Sequence, residues 1–225
     1  PLIKVSQVVA FGRITMTAAA VRVLLENKIE LCYLTHYGGY IGRLQPSFSK
    51  NSLLRREQYE AACDCRSLEL ARTFVIGKIT NMRVMLVRIN RSIGNEEIDS
   101  AVVRIKRAAE NAECADNIDS LRGYEGEATA AYFNVFDKLI KQDGFSFEKR
   151  IRRPPTDPVN SMLSFGYTLL ANDIHSAINI VGFDPFIGFL HADRYGRPSL
   201  ALDLMEEFRT IIVDSFVLNC INKKV

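Results

Sequence analysis

From Ser52 to the end of the chain, apolar residues recur at steps of three and four, and strand signals nearly vanish. That spacing lines them up on one face of an α-helix, so this part can bury a core only by packing helix on helix. The periodicity predicts helices over 52–92 (long enough to be broken), 96–113, 117–142, 158–181 and 200–222. The first fifty residues follow another pattern. Val- and Ile-rich runs over 3–11, 29–35 and 41–44 read as strands, with a Gly38-Gly39 turn before the third. Residues 17–27 read as a short helix capped by Thr15 or Thr17. Residues 45–51 read as a linker. The expected class is therefore α+β: a small N-terminal β-rich domain over 1–48 and a larger all-α domain over 49–225.

Composition narrows the function classes. The chain is 225 residues long, 48% hydrophobic and 24% charged, as a folded domain should be. No apolar stretch is long enough to span a bilayer, so no membrane partner is expected. Pro1-Leu2-Ile3-Lys4 lacks the basic-then-apolar build of a signal peptide and has no initiator Met, so the chain reads as a fragment, a processed form or part of something longer. Five scattered cysteines fit reduced thiols, and Cys63-Asp64-Cys65 has no second pair with which to make a zinc site. A net charge of +3 is too mild to decide for or against nucleic acid.

Site chemistry starts from a carboxylate on the wrong face. In the 117–142 helix the apolar line runs Ile118, Leu121, Ala128, Tyr132, Phe136, Leu139, and Glu125 fills the seven-residue gap. Glu125 thus belongs to the face to be buried, whereas Glu127 points to solvent. A buried carboxylate needs a cationic partner or a metal, and both readings stay open from this helix alone. Gly123 and Gly126 flank it at a cost of about 1 kcal/mol each inside a helix, which suggests a close neighbour: a backbone or a ligand. In the last helix, with Ser199 as expected cap, Leu204, Met205, Phe208, Ile211, Ile212 and Phe216 form an apolar side. Asp203, Glu206, Glu207, Thr210 and Asp214 form the other. Asp203 and Glu206 are helical neighbours; a divalent cation would relieve their repulsion, but a solvated acidic face fits the spacing as well. His191 ends the apolar run before this helix. His36 and His175 read as surface or structural.

Basic residues cluster in three places. Residues 64–95 carry six Lys and Arg, Lys78 among them, against Asp64 and Glu69. Lys149-Arg150-Ile151-Arg152-Arg153 precedes a helix, and Arg194 and Arg197 flank the start of the last one. Such side chains position DNA through its phosphates.

These residues occur in motifs: Arg122-Gly123-Tyr124-Glu125-Gly126; Asp157-Pro158-Val159-Asn160 with Leu163-Ser164-Phe165-Gly166-Tyr167; Gly182-Phe183-Asp184-Pro185 with Gly188-Phe189-Leu190-His191; and Pro198-Ser199 through Arg209. In this order the series resembles the CRISPR-associated integrase-endonuclease, the catalytic subunit of the spacer-acquisition complex. Members usually carry more residues before the first strand seen here. The resemblance implies a catalytic helical domain and a metal site made by Glu125, His191 and Glu206 with Asp203 close by, Asp203 and Glu206 competing for the role of direct ligand. It implies Mn²⁺ or Mg²⁺, which suit carboxylates and one imidazole. It implies transesterification that joins short DNA fragments into a CRISPR array, with Lys78, Arg152, Arg153, Arg194 and Arg197 on the DNA. The expected partners are double-stranded and branched DNA, a second copy of the chain and a small CRISPR-associated companion subunit, all in the prokaryotic cytoplasm. A catalytically silent DNA-binding relative and a helical metallohydrolase acting on a small phosphorylated substrate are the competing classes.

Overall fold

The computed structural model describes residues 4, 5, 7–46, 51–192 and 194–224. The chain opens with a three-stranded sheet of order β1-β2-β3. β1 (Gln7–Phe11) runs parallel to β2 (Glu30–Leu34), pairing Gln7 with Glu30 and Phe11 with Leu34. Helix α1 (Ala18–Glu26) makes the crossover, and Thr17 caps it by accepting from the Ala20 amide at 3.2 Å. β3 (Tyr40–Leu44) returns antiparallel to β2, with a bulge at Tyr33/Leu34. The three expected strands are present; the predicted first residue, Ile3, lies outside the described residues, as do residues 47–50 of the expected linker and domain boundary.

A polar seam ties the sheet to the helices. Glu30 is buried in the central strand, where an unpaired charge would be costly. Arg43 of β3 pairs with it at 3.0 Å, Gln7 and Gln45 donate to it, and the Ser176 hydroxyl of α6 (Pro158–Val181) does too. Cys32, in the same strand, meets Asn172 of α6 at 3.6 Å.

Helices follow from residue 52 on. α2 (Ser52–Cys63) and α3 (Arg66–Ile93) divide the expected 52–92 segment. The break comes where the Asp64 side chain takes the Arg66 amide at 2.8 Å, a local bond that competes with helix continuation. α4 (Glu96–Glu113) starts on Asn95, whose side chain accepts two amides. α5 (Ile118–Phe133), capped by Asn117, is shorter than predicted. Its apolar line continues in a 3₁₀ turn over Phe136–Leu139, where a three-residue step keeps both ends buried. α6 (Pro158–Val181) is capped by Asp157, with Pro158 in its first turn, and ends at Gly182 with φ 107°. The main core lies where α3, α4, α5 and α6 meet the C-terminal helices.

The predicted 200–222 helix is three segments: α7 (Ser199–Phe208), a π-helical stretch over Arg209–Asp214, and α8 (Ser215–Lys223). Ser199 is its first residue and not its cap; the Ser199 hydroxyl donates to the Ala192 carbonyl. The burial of this segment inverts the expectation. Asp203, Glu206, Thr210 and Asp214 are buried, while Phe208, Ile211, Ile212 and Phe216 are exposed. Of the two readings of the acidic side, the solvated one fails for Asp203, Glu206 and Asp214, which must find partners inside the protein; Glu207 is half-buried.

Candidate active site

Asp203 has no exposed surface and organises the loop before α7. Its Oδ2 accepts the Phe189 and Leu190 amides at 2.6 and 3.0 Å. Its Oδ1 accepts the His191 amide at 3.0 Å and lies 2.6 Å from His191 Nδ1. Four nitrogens therefore use both oxygens. Gly188 makes the approach possible: a Cβ there would stand 2.7 Å from Asp203 Oδ2 and 2.9 Å from the Ser199 carbonyl carbon. A carboxylate on Nδ1 fixes the proton there and turns the Nε2 lone pair outward. The His191 side chain is 24% exposed.

Arg122 ties this loop to α5. Its Nε donates to the Leu190 carbonyl at 2.9 Å, Nη2 donates to the same oxygen, and Nη1 meets Asp119 at 3.1 Å. One turn further along α5, Glu125 is half-buried, as its place on the apolar line requires, and Glu127 is exposed. Thr129 donates to Glu125 Oε1 at 2.9 Å. A Cβ at Gly123 or Gly126 would meet nothing within 4 Å among the described residues, so the close backbone that the glycines suggested is absent there.

Lys78 corrects the expectation of a DNA-facing cation. It is 3% exposed on α3, with Nζ bonded to Glu125 Oε1 and 2.7 Å from Glu206 Oε2. Arg209 Nε lies 3.1 Å from the same Glu206 oxygen, and its guanidinium stacks 4.7 Å over the Tyr167 ring. Both cations therefore charge-pair the same buried Glu206 oxygen. Burial alone would raise the Glu206 pKa; Lys78 and Arg209 overcome it and hold the carboxyl at about 2.

Below the site, Asp214 accepts hydroxyls from Tyr132 at 3.0 Å and from Tyr167. Burial raises its pKa to about 6 against these bonds, and both tyrosines are pushed well above their usual value, first by burial and then by Asp214.

The structure thus brings together Glu125, His191, Asp203, Glu206 and Lys78. Among the described residues, no three His, Cys or acidic side chains close into a ready metal cage, because the Lys78 ammonium stands between the two glutamates. Arg152, Arg153 and Arg194 are exposed and Arg197 is half-buried. Arg150 is spent on Asn160 and Ser164 at 2.8 and 3.0 Å, anchoring the loop that displays Arg152 and Arg153. His36 is exposed; His175 is buried, and burial first, then Arg43, lowers its pKa to about 4. Sequence reasoning gave no role to Arg209, although Glu206 lies one helical turn before it. It also missed Gly77, where a Cβ would meet the Glu207 side chain at 2.8 Å, and the Asn81 bond to the Glu207 carbonyl at 2.8 Å. The two bring α3 against the end of α7.

A family model described as "CRISPR associated protein Cas1" matches residues 1–225. A "CRISPR-associated endonuclease Cas1 3" of Thermus thermophilus is 43% identical over 225 residues, covering all of this chain and 65% of the relative. A casposase solved bound to integration product superposes with a TM-score of 0.85 at 27% identity, over 97% of this chain and 61% of that one. A Cas6-RT-Cas1–Cas2 complex contains a chain with a TM-score of 0.81 at 30% identity, over 97% of this chain and 24% of that one. The chain spans about two thirds of the length of the curated relatives it matches. Among the described residues, no helix is long and apolar enough to cross a membrane.

Proposed function

Because this chain belongs to the CRISPR-associated Cas1 family, we propose that it carries the catalytic centre of a metal-dependent DNA endonuclease and integrase. It joins short DNA fragments into a CRISPR array by transesterification, in the prokaryotic cytoplasm. The observation that carries this reading is the pair Glu125 and Glu206, which already closes around a cation, with His191 oriented beside it.

The donor set fits a divalent ion. Two carboxylates that share one buried ammonium and an imidazole beside them are donors that Mn²⁺ or Mg²⁺ takes. Glu125, His191 and Glu206 would hold it. Asp203 is a positioning residue, since its oxygens are committed to the loop and to His191 Nδ1. When bound, the ion polarises the phosphoryl group and stabilises charge on its oxygens. The protein's own residues do the rest. Asp203 and Arg122 fix the 188–191 loop, and His191 with it, against α5. Arg209 keeps Glu206 ionised. Arg152, Arg153, Arg194 and Arg197 hold DNA phosphates, and the start of α7 adds favourable dipole charge beside the last two.

The reading takes double-stranded and branched DNA as substrate, a second copy of the chain and a small companion subunit as partners, and a β-rich part over 1–48 before catalytic helices from 49; the casposase solved with integration product and the Cas1–Cas2 complex support the DNA and the companion. The test is incubation with branched or supercoiled DNA and Mn²⁺. Wild type cleaves or transfers strands, and Glu125→Ala and His191→Ala do not. Unchanged activity in either variant overturns the proposal, as does a wild type that is silent towards both DNAs. Tight, salt-sensitive binding to duplex DNA argues against a small phosphorylated substrate.

A further inference from the structure

The metal reading leaves Lys78 unexplained. A lysine is among the residues least often buried, because its ammonium loses water on entering the protein. Here the side chain is 4% exposed and its charge sits between carboxylates from two other helices, Glu125 of α5 and Glu206 of α7. Without a cation at this point, those two carboxylates would face each other in a medium that screens them poorly. Glu206 has Arg209 as a second cation, but no other cation pairs with Glu125 among the described residues.

We infer that Lys78 is an internal counter-cation whose ammonium holds the place that a divalent ion takes between Glu125 and Glu206, so that metal binding is a displacement. This rests on the proposed metal site but adds a property to it. The affinity for metal is set by competition within the chain, and the metal-free form is stable because the competitor is always present. The direction of effect differs from that of a ligand: removing a ligand weakens metal binding, whereas removing a competitor strengthens it.

The experiment compares wild type, Lys78→Met, Lys78→Arg and Glu206→Gln by calorimetric titration with Mn²⁺ and by thermal unfolding with and without it. Lys78→Met is expected to bind Mn²⁺ at least about tenfold more tightly than wild type, to melt lower without metal and to recover its melting temperature when Mn²⁺ is added. Lys78→Arg keeps the charge and binds no more tightly than wild type. A Lys78→Met protein that folds and binds Mn²⁺ no more tightly overturns the inference. Should Lys78→Met fail to fold, amine acetylation of wild type read by mass spectrometry decides: Lys78 is protected without metal and labelled with saturating Mg²⁺, and unchanged protection overturns the inference. The two readings fail separately. Wild type that binds Mn²⁺ through Glu206 while Lys78→Met gains nothing sinks only the displacement. Absence of Mn²⁺ binding in wild type and all variants sinks the metal site as well.

Discussion

Replacing Asp203 by Asn tests whether this residue is a ligand or the support of one. The carboxylate takes four nitrogens, two on each oxygen, at 2.6–3.0 Å. An amide offers one oxygen, so its NH₂ must face two of them. The charge-assisted bond to the His191 amide is lost, at about 1.5–3 kcal/mol, and the one to Nδ1 becomes a neutral bond, at a further cost of about 1 kcal/mol. Relief from burying a charge offsets part of this, leaving roughly 2–3 kcal/mol. At ~2–4 °C per kcal/mol for a chain of this size, the metal-free protein should melt about 5–10 °C lower. The second effect runs through His191. With the amide oxygen on Phe189 and Leu190, the NH₂ donates to Nδ1, and the imidazole proton moves to Nε2, the atom that would meet the metal. Loss of a partner that orients a ligand costs on the order of 10–100-fold in metal affinity. Thermal unfolding without metal and calorimetric titration with Mn²⁺ measure the two effects independently. A variant that melts within ~2 °C of wild type without metal refutes the support role, whatever its activity.

Arg122→Lys replaces a two-pronged hold on the Leu190 carbonyl by a single donor and should cost about 1–2 kcal/mol, with weaker Mn²⁺ binding, by urea unfolding and titration. Gly188→Ala should destabilise by at least about 2 kcal/mol, because its Cβ meets the Ser199 backbone. Gly126→Ala, with nothing within 4 Å, should stabilise the metal-free protein by up to about 1 kcal/mol; equal melting shifts for the two refute the packing argument. Asp214 titrates at about 6 in the folded protein against 3.8 for the free side chain, so its contribution to stability is full below pH 3.8 and is lost as pH rises through 6. Asp214→Asn should therefore gain on wild type by about 2 kcal/mol between pH 4.5 and 7, by urea unfolding; a constant difference would count against it. Glu206 contributes with the opposite sign and in a lower window, losing its share as pH falls from 4.5 through about 2.

The helices were legible because their signals are local. Periodicity located α4 and α6 almost to their ends, Thr17 is the cap of α1, and the gap in the α5 stripe placed Glu125 on the inner face. The faces of the last helix were not, because what makes its acids internal comes from elsewhere in the chain: amides at 189–191, Lys78 on α3, and the hydroxyls of Tyr132 and Tyr167. The π-helical stretch also changes the angle per residue, so a 3.6-residue wheel misplaces the side chains beyond it. Lys78 was misread for the same reason. Among arginines and lysines of one helix, spacing does not reveal which one has two glutamates waiting in the fold.

The proposed ligands have a further consequence for how this protein comes into being. Glu125 lies on α5, His191 on a loop and Glu206 on α7, while the lysine that balances them lies on α3, 47 residues before the first of them. Short segments of the chain hold one member of the set at most, except for His191 and Glu206, which Asp203 relates to each other through the 189–191 loop. The proposed metal site is therefore a product of the tertiary fold alone: its members meet only where α5 and α7 both pack against α3.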